Sequence, residues 1–143
     1  MRASIVHAPI DPAALVTEVA HQSNGATSVF LGTVRSDNEG RDVTGIEYSA
    51  YEEMAESEMA AILDETRDVF ATAHSVIEHR VGALGVGEIS MAVVVATPHR
   101  AASMSAVLYI VEEVKSRAPI WKLEHYVDGT REWVGAGGQE SVR

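Results

Sequence analysis

Apolar residues recur at helical spacing in three segments of the chain. The first helix is predicted to begin at Asp11-Pro12, because an Asp cap followed by Pro is a typical helix start, and to end at Asn24-Gly25. The second is predicted to follow Tyr51, and the third to run from Thr97-Pro98 to Arg117. The residues predicted to face the core are Leu15, Val16, Val19 and Ala20 in the first helix, Ala55, Met59, Ile62, Leu63, Thr66, Val69 and Phe70 in the second, and Met104, Val107, Leu108, Val111 and Val114 in the third.

Segments rich in β-branched and aromatic residues separate these helices and predict strands. They cover residues 3–8, 26–35, 42–50, 74–81, 87–96 and 120–127. The run 89–96 is almost entirely apolar, which predicts a central strand. The strands at 26–35 and 42–50 are predicted to form a hairpin. The order β-α-β-β-α-β-β-α-β predicts an α+β fold, with a mainly antiparallel sheet and three helices on one face. Four methionines are predicted to fill the core, namely Met54, Met59, Met91 and Met104.

The composition limits the functional classes. The chain has 143 residues and no cysteine, which excludes a disulfide scaffold, a cysteine nucleophile and a persulfide carried on this chain. Its net charge of −10 is a poor match for a nucleic acid backbone. No apolar run approaches the ~18 residues of a membrane span, and the N-terminus does not look like a signal peptide, so we expect a soluble cytoplasmic protein. Residues 1–134 are predicted to form a single domain and 135–143 a flexible tail.

The charge is unevenly distributed along the chain. Residues 36–70 carry a net charge of −9, whereas residues 99–122 carry +2. The acidic stretch fits a solvated helix face, and it also fits a surface that docks a basic partner. The basic segment 99–122 is therefore the predicted binding region for an anionic ligand.

Lys115 and Lys122 are the only lysines among eleven basic residues. Lysine, unlike arginine, can lose its proton when partly buried and can then act as a nucleophile or base. Lys115 is predicted to lie in the last turn of the third helix, and Lys122 on the strand that follows Pro119. A tight turn between the two elements could bring both ammonium groups to one site. The alternative is structural, with Lys115 complementing a helix C-terminus and Lys122 on a strand surface.

The start of the third helix is a second candidate site. Thr97 is the predicted N-cap and Pro98 the first helical residue, and the free N–H groups of a helix N-terminus attract anions. His99 and Arg100 have the wrong charge for helix stability at this end, which favours a ligand such as phosphate. A surface His-Arg pair without a ligand is the alternative.

Other basic residues end predicted strands. Arg35 follows the strand at 26–35, and His79-Arg80 precedes Gly82. Two interpretations remain open for these residues: a role in a binding or catalytic site, or a purely structural position at the end of a strand. The chain has no nucleophile elbow, phosphate loop, metal-ligand spacing or dinucleotide fingerprint, so neither a metal nor a cofactor is expected.

Together these segments resemble one family, the large catalytic subunit of molybdopterin synthase, over about residues 3–134. The similarity is carried by Gly25-Ala26, by 29–35, by 43–51 with Met54-Ala55, by 79–84 with Gly87-Glu88, by His99-Arg100, and by Lys115-Ser116-Arg117-Ala118-Pro119-Ile120-Trp121-Lys122 with Asp128-Gly129 and Trp133-Val134 downstream. The spacing Lys-x-Arg-x-Pro-hydrophobic-Trp-Lys is rare enough to make the resemblance specific.

The resemblance implies a fold and a reaction. The family fold is an α/β hammerhead with an added antiparallel subdomain. Its members install the dithiolene of molybdopterin on cyclic pyranopterin monophosphate (precursor Z). The sulfur comes from the C-terminal Gly-Gly thiocarboxylate of a small ubiquitin-like partner, and the family assembly is a homodimer of large subunits with one small subunit at each end. The absence of cysteine is consistent with sulfur that arrives on another molecule.

The resemblance also implies roles for particular residues. Lys115 and Lys122 match the two key lysines of the family, and Arg35, His99 and Arg100 match its basic substrate pocket. We expect Lys115 to move protons or assist attack, and Lys122 to orient the substrate and stabilise negative charge.

One departure from the family pattern concerns the residues after Trp133, where members can carry another basic residue. Here no basic residue follows before Arg143. Either Arg131 substitutes for it or the pocket is less basic. A non-enzymatic α+β module that binds an anionic metabolite and regulates a partner is the alternative function at this stage.

Overall fold

A computed structural model describes residues 1–72 and 74–134. Its first sheet has the order β1-β5-β7-β2 and contains β1 (Arg2–Val6), β2 (Ala26–Thr33), β5 (His74–Arg80) and β7 (Ile89–Thr97). β7 lies in the interior of this sheet and pairs antiparallel with both β5 and β2, as its apolar sequence predicts. β1 pairs parallel with β5, which is the exception to the antiparallel pattern. Among the described residues, no further strand pairs with the outer side of β2, which is an open edge of this sheet.

The second sheet lies around β4 (Arg41–Ala50), which pairs with three other strands. They are β3 (Asp37–Asn38), β6 (Gly82–Gly85) and β8 (Ile120–Tyr126), and β8 pairs in turn with β9 (Arg131–Val134). Gly45 is needed where β4 meets β6, because a Cβ there would lie 2.8 Å from the carbonyl oxygen of Leu84. The α+β class with mainly antiparallel sheets is confirmed.

The three helices are α1 (Pro12–Val19), α2 (Glu52–Phe70) and α3 (Arg100–Arg117). α2 and α3 pack on one face of the first sheet, around Met59, Ile62 and Ile110. α1 packs on the opposite face through Leu15 and Val19. The prediction that all three helices share one face is therefore wrong, because alternate residues of the buried strands are apolar on both faces.

The predicted hairpin between 26–35 and 42–50 is also wrong. β2 pairs with β7 in the first sheet, whereas β4 belongs to the second. The turn at 36–40 instead contains β3, which pairs with the start of β4. The residues between β2 and β3 thus connect two sheets.

Several predicted core residues are exposed. Met104 and Leu108 of α3 are more than half exposed, as are Met54 and Val69 of α2, and Val16 of α1 is also exposed. Met59 and Met91 are buried as predicted. α3 instead packs through Ser103, Ala106, Val107, Ile110, Val111 and Val114. Ser103 is tolerated there because its Oγ lies 2.7 Å from the Oγ of Ser28.

The start of α3 differs from the prediction. Thr97 is the last residue of β7, and its Oγ1 donates a hydrogen bond to the backbone oxygen of His99. His99 is the N-cap, without a side-chain capping bond, and Arg100 is the first helical residue. None of the helices in the described part of the chain is long and apolar enough to cross a membrane. The predicted tail at 135–143 lies outside the described residues.

Candidate functional site

Lys115 lies at the end of the first sheet where β5 ends and β7 begins. It occupies the last turn of α3, as predicted, and its side chain is exposed. α3 follows β7 and packs back along it, so its C-terminal end returns to the Ile89 end of that strand. His79 of β5 pairs with Met91 at the same end. Lys115 and His79 therefore belong to elements that meet at this end of the sheet.

His79 is a buried histidine on the face of β5 that carries α2 and α3. Its Nδ1 lies 2.9 Å from the backbone oxygen of Arg80. The pKa of His79 is lowered to about 4, mainly by burial; the hydrogen bond to Arg80 opposes this shift, and the charge of Lys115 adds a smaller lowering. The ring is therefore neutral near pH 7. It packs edge-on against the Tyr48 ring, with centroids 5.0 Å apart.

Tyr48 connects His79 to the second lysine. It lies on β4, directly opposite Lys122 of β8, and opposite residues of an antiparallel pair point to the same face. Tyr48 packs against the cores of both sheets. Burial raises the pKa of its phenol, a hydrogen bond with Ser90 lowers it, and the charge of Glu124 raises it further.

The ring contact and the cross-strand pair place His79, Tyr48 and Lys122 in order across the junction of the two sheets, and Lys115 lies in the last turn of α3. The pattern of the sequence singled out the lysines but neither Tyr48 nor Glu124, and it left His79 undecided. Glu124 is a buried carboxylate two residues from Lys122 on the same strand face, and Nδ2 of Asn38 donates to both of its oxygens at 3.0 and 3.2 Å. A charged residue in the middle of a predicted strand was the available signal for it.

Arg35 lies at the same end of the first sheet as Lys115. It follows β2 by two residues and is exposed, and the last residue of β2, Thr33, pairs with Ile89. Arg35, Lys115 and Lys122 thus come from elements that meet at this end.

His99 and Arg100 lie at the other end of the sheet. Thr97, two residues before His99, pairs with Ala26 at the start of β2. Both side chains are exposed. From Arg100 to Lys115 the helix rises about 22 Å at 1.5 Å per residue. Within one chain, therefore, the five predicted basic residues form two groups at opposite ends of α3.

Arg80 does not point toward the lysines. It lies on the opposite face of β5 from His79, and its Nη1 forms an ion pair with Glu88 at 2.5 Å. It lines an open cleft of about 460 Å³ together with Pro9, Ile10, Gly87, Glu88 and Ile89. The ion pair neutralises the guanidinium, so this cleft offers no net positive charge.

The described residues contain no group of three or more His, Asp or Glu side chains that could hold a metal ion. The fold and the site define an α+β domain in which buried His79 packs against partly buried Tyr48 at the junction of two sheets, with Lys122 opposite Tyr48 and Lys115 at the end of α3. Such a site can bind an anionic ligand and can move protons at its amines.

Comparison with known proteins identifies the family. The model of the MoaE protein family matches residues 5–117. The chain is 38% identical over 134 residues to the molybdopterin synthase catalytic subunit of Halalkalibacterium halodurans, covering 94% of this chain and 85% of that protein. The chain therefore belongs to the MoaE family of molybdopterin synthase catalytic subunits, and the resemblance inferred from the sequence is confirmed.

Solved structures agree with this assignment. The crystal structure of molybdopterin synthase from Staphylococcus aureus superposes with a TM-score of 0.88 at 35% identity, covering 92% of this chain and 96% of that one. A chain in the complex of subunits 1 and 2 of molybdopterin-converting factor from Helicobacter pylori superposes with a TM-score of 0.74 at 22% identity, covering 90% and 87%. At 22% identity, the similarity to the Helicobacter pylori chain shows a shared fold.

Proposed function

We propose that this chain catalyses the sulfur transfer that its family membership implies. The substrate is cyclic pyranopterin monophosphate, and the sulfur donor is the C-terminal Gly-Gly thiocarboxylate of a small ubiquitin-like partner. Each transfer forms a C–S bond on the pterin and breaks the acyl C–S bond of the partner. The partner's acyl carbon gains an oxygen in exchange, from water or from the pterin oxygen that sulfur replaces, and is left as a carboxylate. We place the reaction in the cytoplasm. The observation that supports the proposal is the arrangement at the junction of the two sheets, where Lys122 lies opposite Tyr48, the Tyr48 ring packs against His79, and Lys115 lies at the end of the helix that packs on the same face of the first sheet.

The two lysines have different surroundings, which supports different roles. Lys115 is exposed at a helix end, where its ammonium can reach an incoming tail and exchange protons with it. Lys122 is half-buried on β8 beside Tyr48, where a fixed charge can orient the substrate and stabilise developing negative charge. Arg35 is a further cation for the phosphate at this end of the sheet.

The substrate pocket that we propose is completed by a second copy of this chain. β2 is an open edge, and Val29 and Leu31 on it are exposed. Leu108 is exposed on α3, which packs over the same strand. Two β2 edges can pair antiparallel around a two-fold axis, as a symmetric dimer interface requires.

Such pairing changes which residues are neighbours. In an antiparallel β2 pair, the first residue of one strand approaches the last residue of the other. His99 and Arg100, which neighbour the start of β2, would then approach Arg35 and Lys115 of the second copy. The dimer would assemble from two chains the basic pocket that one chain divides between the ends of α3.

The function is tested by reconstitution with the thiocarboxylated partner and precursor Z, with molybdopterin measured by mass spectrometry. Wild type is expected to form the dithiolene. Lys115→Arg keeps the charge but cannot supply a neutral amine near pH 7, so a loss of about 10²-fold or more is expected. No product from wild type would contradict the enzyme assignment, whereas a wild-type rate in the variant would contradict amine chemistry at Lys115.

Native mass spectrometry of the mixture should show two copies of each chain.

A further inference from the structure

Arg35 lies in a short connecting segment, residues 34–38, that joins β2 of the first sheet to β3 of the second. Val34, at the start of this segment, is buried, and its N–H donates to the backbone oxygen of Glu88 at 3.0 Å. Its own oxygen accepts a hydrogen bond from the N–H of Gly87 at 2.8 Å. The start of the connecting segment is therefore fixed to the loop that precedes β7.

Asn38 fixes the other end of the connecting segment. Its Nδ2 donates to both carboxylate oxygens of Glu124, at 3.0 and 3.2 Å, and Glu124 is only 4% exposed. In the described part of the second sheet, β3 pairs with β4 and not with β8, so this side-chain contact joins the segment directly to β8. Glu39 and Gly40, the next two residues, both have a positive φ, as in a tight two-residue hairpin turn. The backbone at Asn38 is therefore held on both sides.

Strand β8 also carries Lys122, two residues before Glu124 and on the same face of the sheet. We infer that Asn38 is a positioning residue for substrate binding, whose hydrogen bonds to Glu124 hold the segment that carries Arg35 in place against the strand that carries Lys122. This inference rests on the proposed function, in which these two cations bind the phosphate and orient the substrate.

The chemistry of the contact explains why an amide suits this position. A carboxylate only accepts hydrogen bonds, and a primary amide supplies donors without adding a charge. Because Glu124 is buried, loss of the Asn38 donor leaves its carboxylate with fewer hydrogen bonds in a place that water does not reach, and the segment must shift to compensate. A site whose charged groups are already spaced for the ligand loses less free energy to ordering when the ligand binds.

The first test is kinetic. Asn38→Ala should raise KM for cyclic pyranopterin monophosphate about 5- to 20-fold with kcat within about threefold, because misplaced cations weaken binding of substrate and transition state alike. Thr44→Ala is the matched control, since Oγ1 of Thr44 on β4 also donates to β8, at the backbone oxygen of His125. The control should keep KM within about twofold of wild type. An unchanged KM in Asn38→Ala would overturn the inference.

A double-mutant cycle separates positioning of Arg35 from a purely structural role. Arg35→Ala removes the cation that Asn38 is inferred to position, so adding Asn38→Ala to it should raise KM by less than about twofold more. The same fold-increase with and without Arg35 would show that Asn38 acts independently of Arg35, and the inference would then be wrong.

Exchange of the two groups provides a rescue experiment, which also serves if Asn38→Ala does not fold. Asn38→Asp places two carboxylates in contact and should raise KM at least as much as Asn38→Ala. Adding Glu124→Gln restores an amide–carboxylate pair with the roles reversed, and KM should return to within about threefold of wild type. No recovery in the double variant would show that the contact between these side chains does not control binding.

Amide hydrogen exchange tests the attachment without any activity. The N–H of Val43 donates to the backbone oxygen of Ser36 inside the connecting segment at 2.8 Å, whereas the N–H of Gly87 reports on the start of the segment. Asn38→Ala should speed exchange at Val43 at least about tenfold and leave Gly87 within about threefold of wild type. Unchanged exchange at Val43 would overturn the inference. Absence of product from the wild-type enzyme would instead contradict the proposed function, so the two failures are distinguishable.

Discussion

Arg117 and Glu65 are joined by two hydrogen bonds, from Nη1 to Oε1 at 2.7 Å and from Nη2 to Oε2 at 2.8 Å. The same guanidinium donates to Glu58 at 2.8 Å and to Glu113 at 3.0 Å. Tyr109 adds a hydrogen bond to Glu65 at 2.7 Å. This network connects the last turn of α3 to α2, and Lys115 lies in that turn. It gives Arg117, a residue of the motif that carries the family resemblance, a structural role.

The Arg117–Glu65 pair predicts a defined pH dependence of stability. The hydrogen bonds from Arg117 and then Tyr109 lower the pKa of Glu65 from 4.5 to about 2. A carboxylate whose pKa is lower in the folded state stabilises the protein above pH 4.5, and this contribution is lost as the pH falls toward 2. Because Glu65 is 38% exposed, water screens the pair and we expect about 1 kcal/mol at pH 7.

The measurement is urea unfolding of wild type and Glu65→Gln between pH 2 and pH 7. The difference in the free energy of unfolding should be largest above pH 5 and should shrink at lower pH. A difference that stays constant over the whole range would show that the charge of Glu65 contributes nothing.

Two methionines of α2 provide a matched test of the packing. Met59 is fully buried among α2, α3 and the first sheet, whereas Met54 is 60% exposed. Met59→Ala should lower the free energy of unfolding by about 2–5 kcal/mol, through lost burial and a cavity. Met54→Ala should change it by less than about 0.5 kcal/mol. Chemical denaturation checks both, and equal effects would contradict the packing of α2.

The sequence pattern predicts which segments become helices and strands, but not always what they contact. β2 and β4 are neighbours along the chain with a turn between them, yet each finds its partner in a different sheet. Strand pairing at long range depends on the whole core, which a local pattern does not contain. For α3 the predicted burial is confirmed at Val107, Val111 and Val114 and is wrong at Met104 and Leu108. The buried face also includes Ser103, whose hydroxyl contacts that of Ser28.

The candidate site was predictable in its chemistry but not in its geometry. Lys115 and Lys122 stand out because all other basic residues are arginines, and the motif around them indicates the family. Tyr48 and His79 are typical strand residues, and only the packing of β4 against the end of β5 brings their rings together. Arg35 and Arg100 lie at opposite ends of the first sheet. This distance likewise follows from the length of α3 and the direction in which it packs.

The proposed dimer predicts that an exposed residue beside β2 controls self-association. Leu108 of α3 is 64% exposed, and a charge there would be buried in the interface. Leu108→Glu should weaken the dimer at least about tenfold, as measured by sedimentation velocity over a range of concentrations. Val69→Glu is the control, because Val69 is equally exposed on α2. A Leu108→Glu chain that stays as dimeric as the control would contradict an interface at this edge.

Mixing two inactive variants tests whether the two ends of α3 belong to one composite site. Lys115→Met removes the proposed amine and Arg100→Ala the proposed anion ligand, so each homodimer should be inactive. In a mixed dimer, one of the two pockets combines Lys115 of one chain with Arg100 of the other and is intact. Random exchange makes half of the dimers mixed, and each mixed dimer has one intact pocket of two, because the chains of a two-fold dimer contribute equivalent surfaces. About a quarter of the wild-type activity should therefore return. Activity should rise with the time allowed for subunit exchange. If no activity returns although native mass spectrometry shows mixed dimers, then Arg100 and Lys115 do not act in the same pocket across the interface.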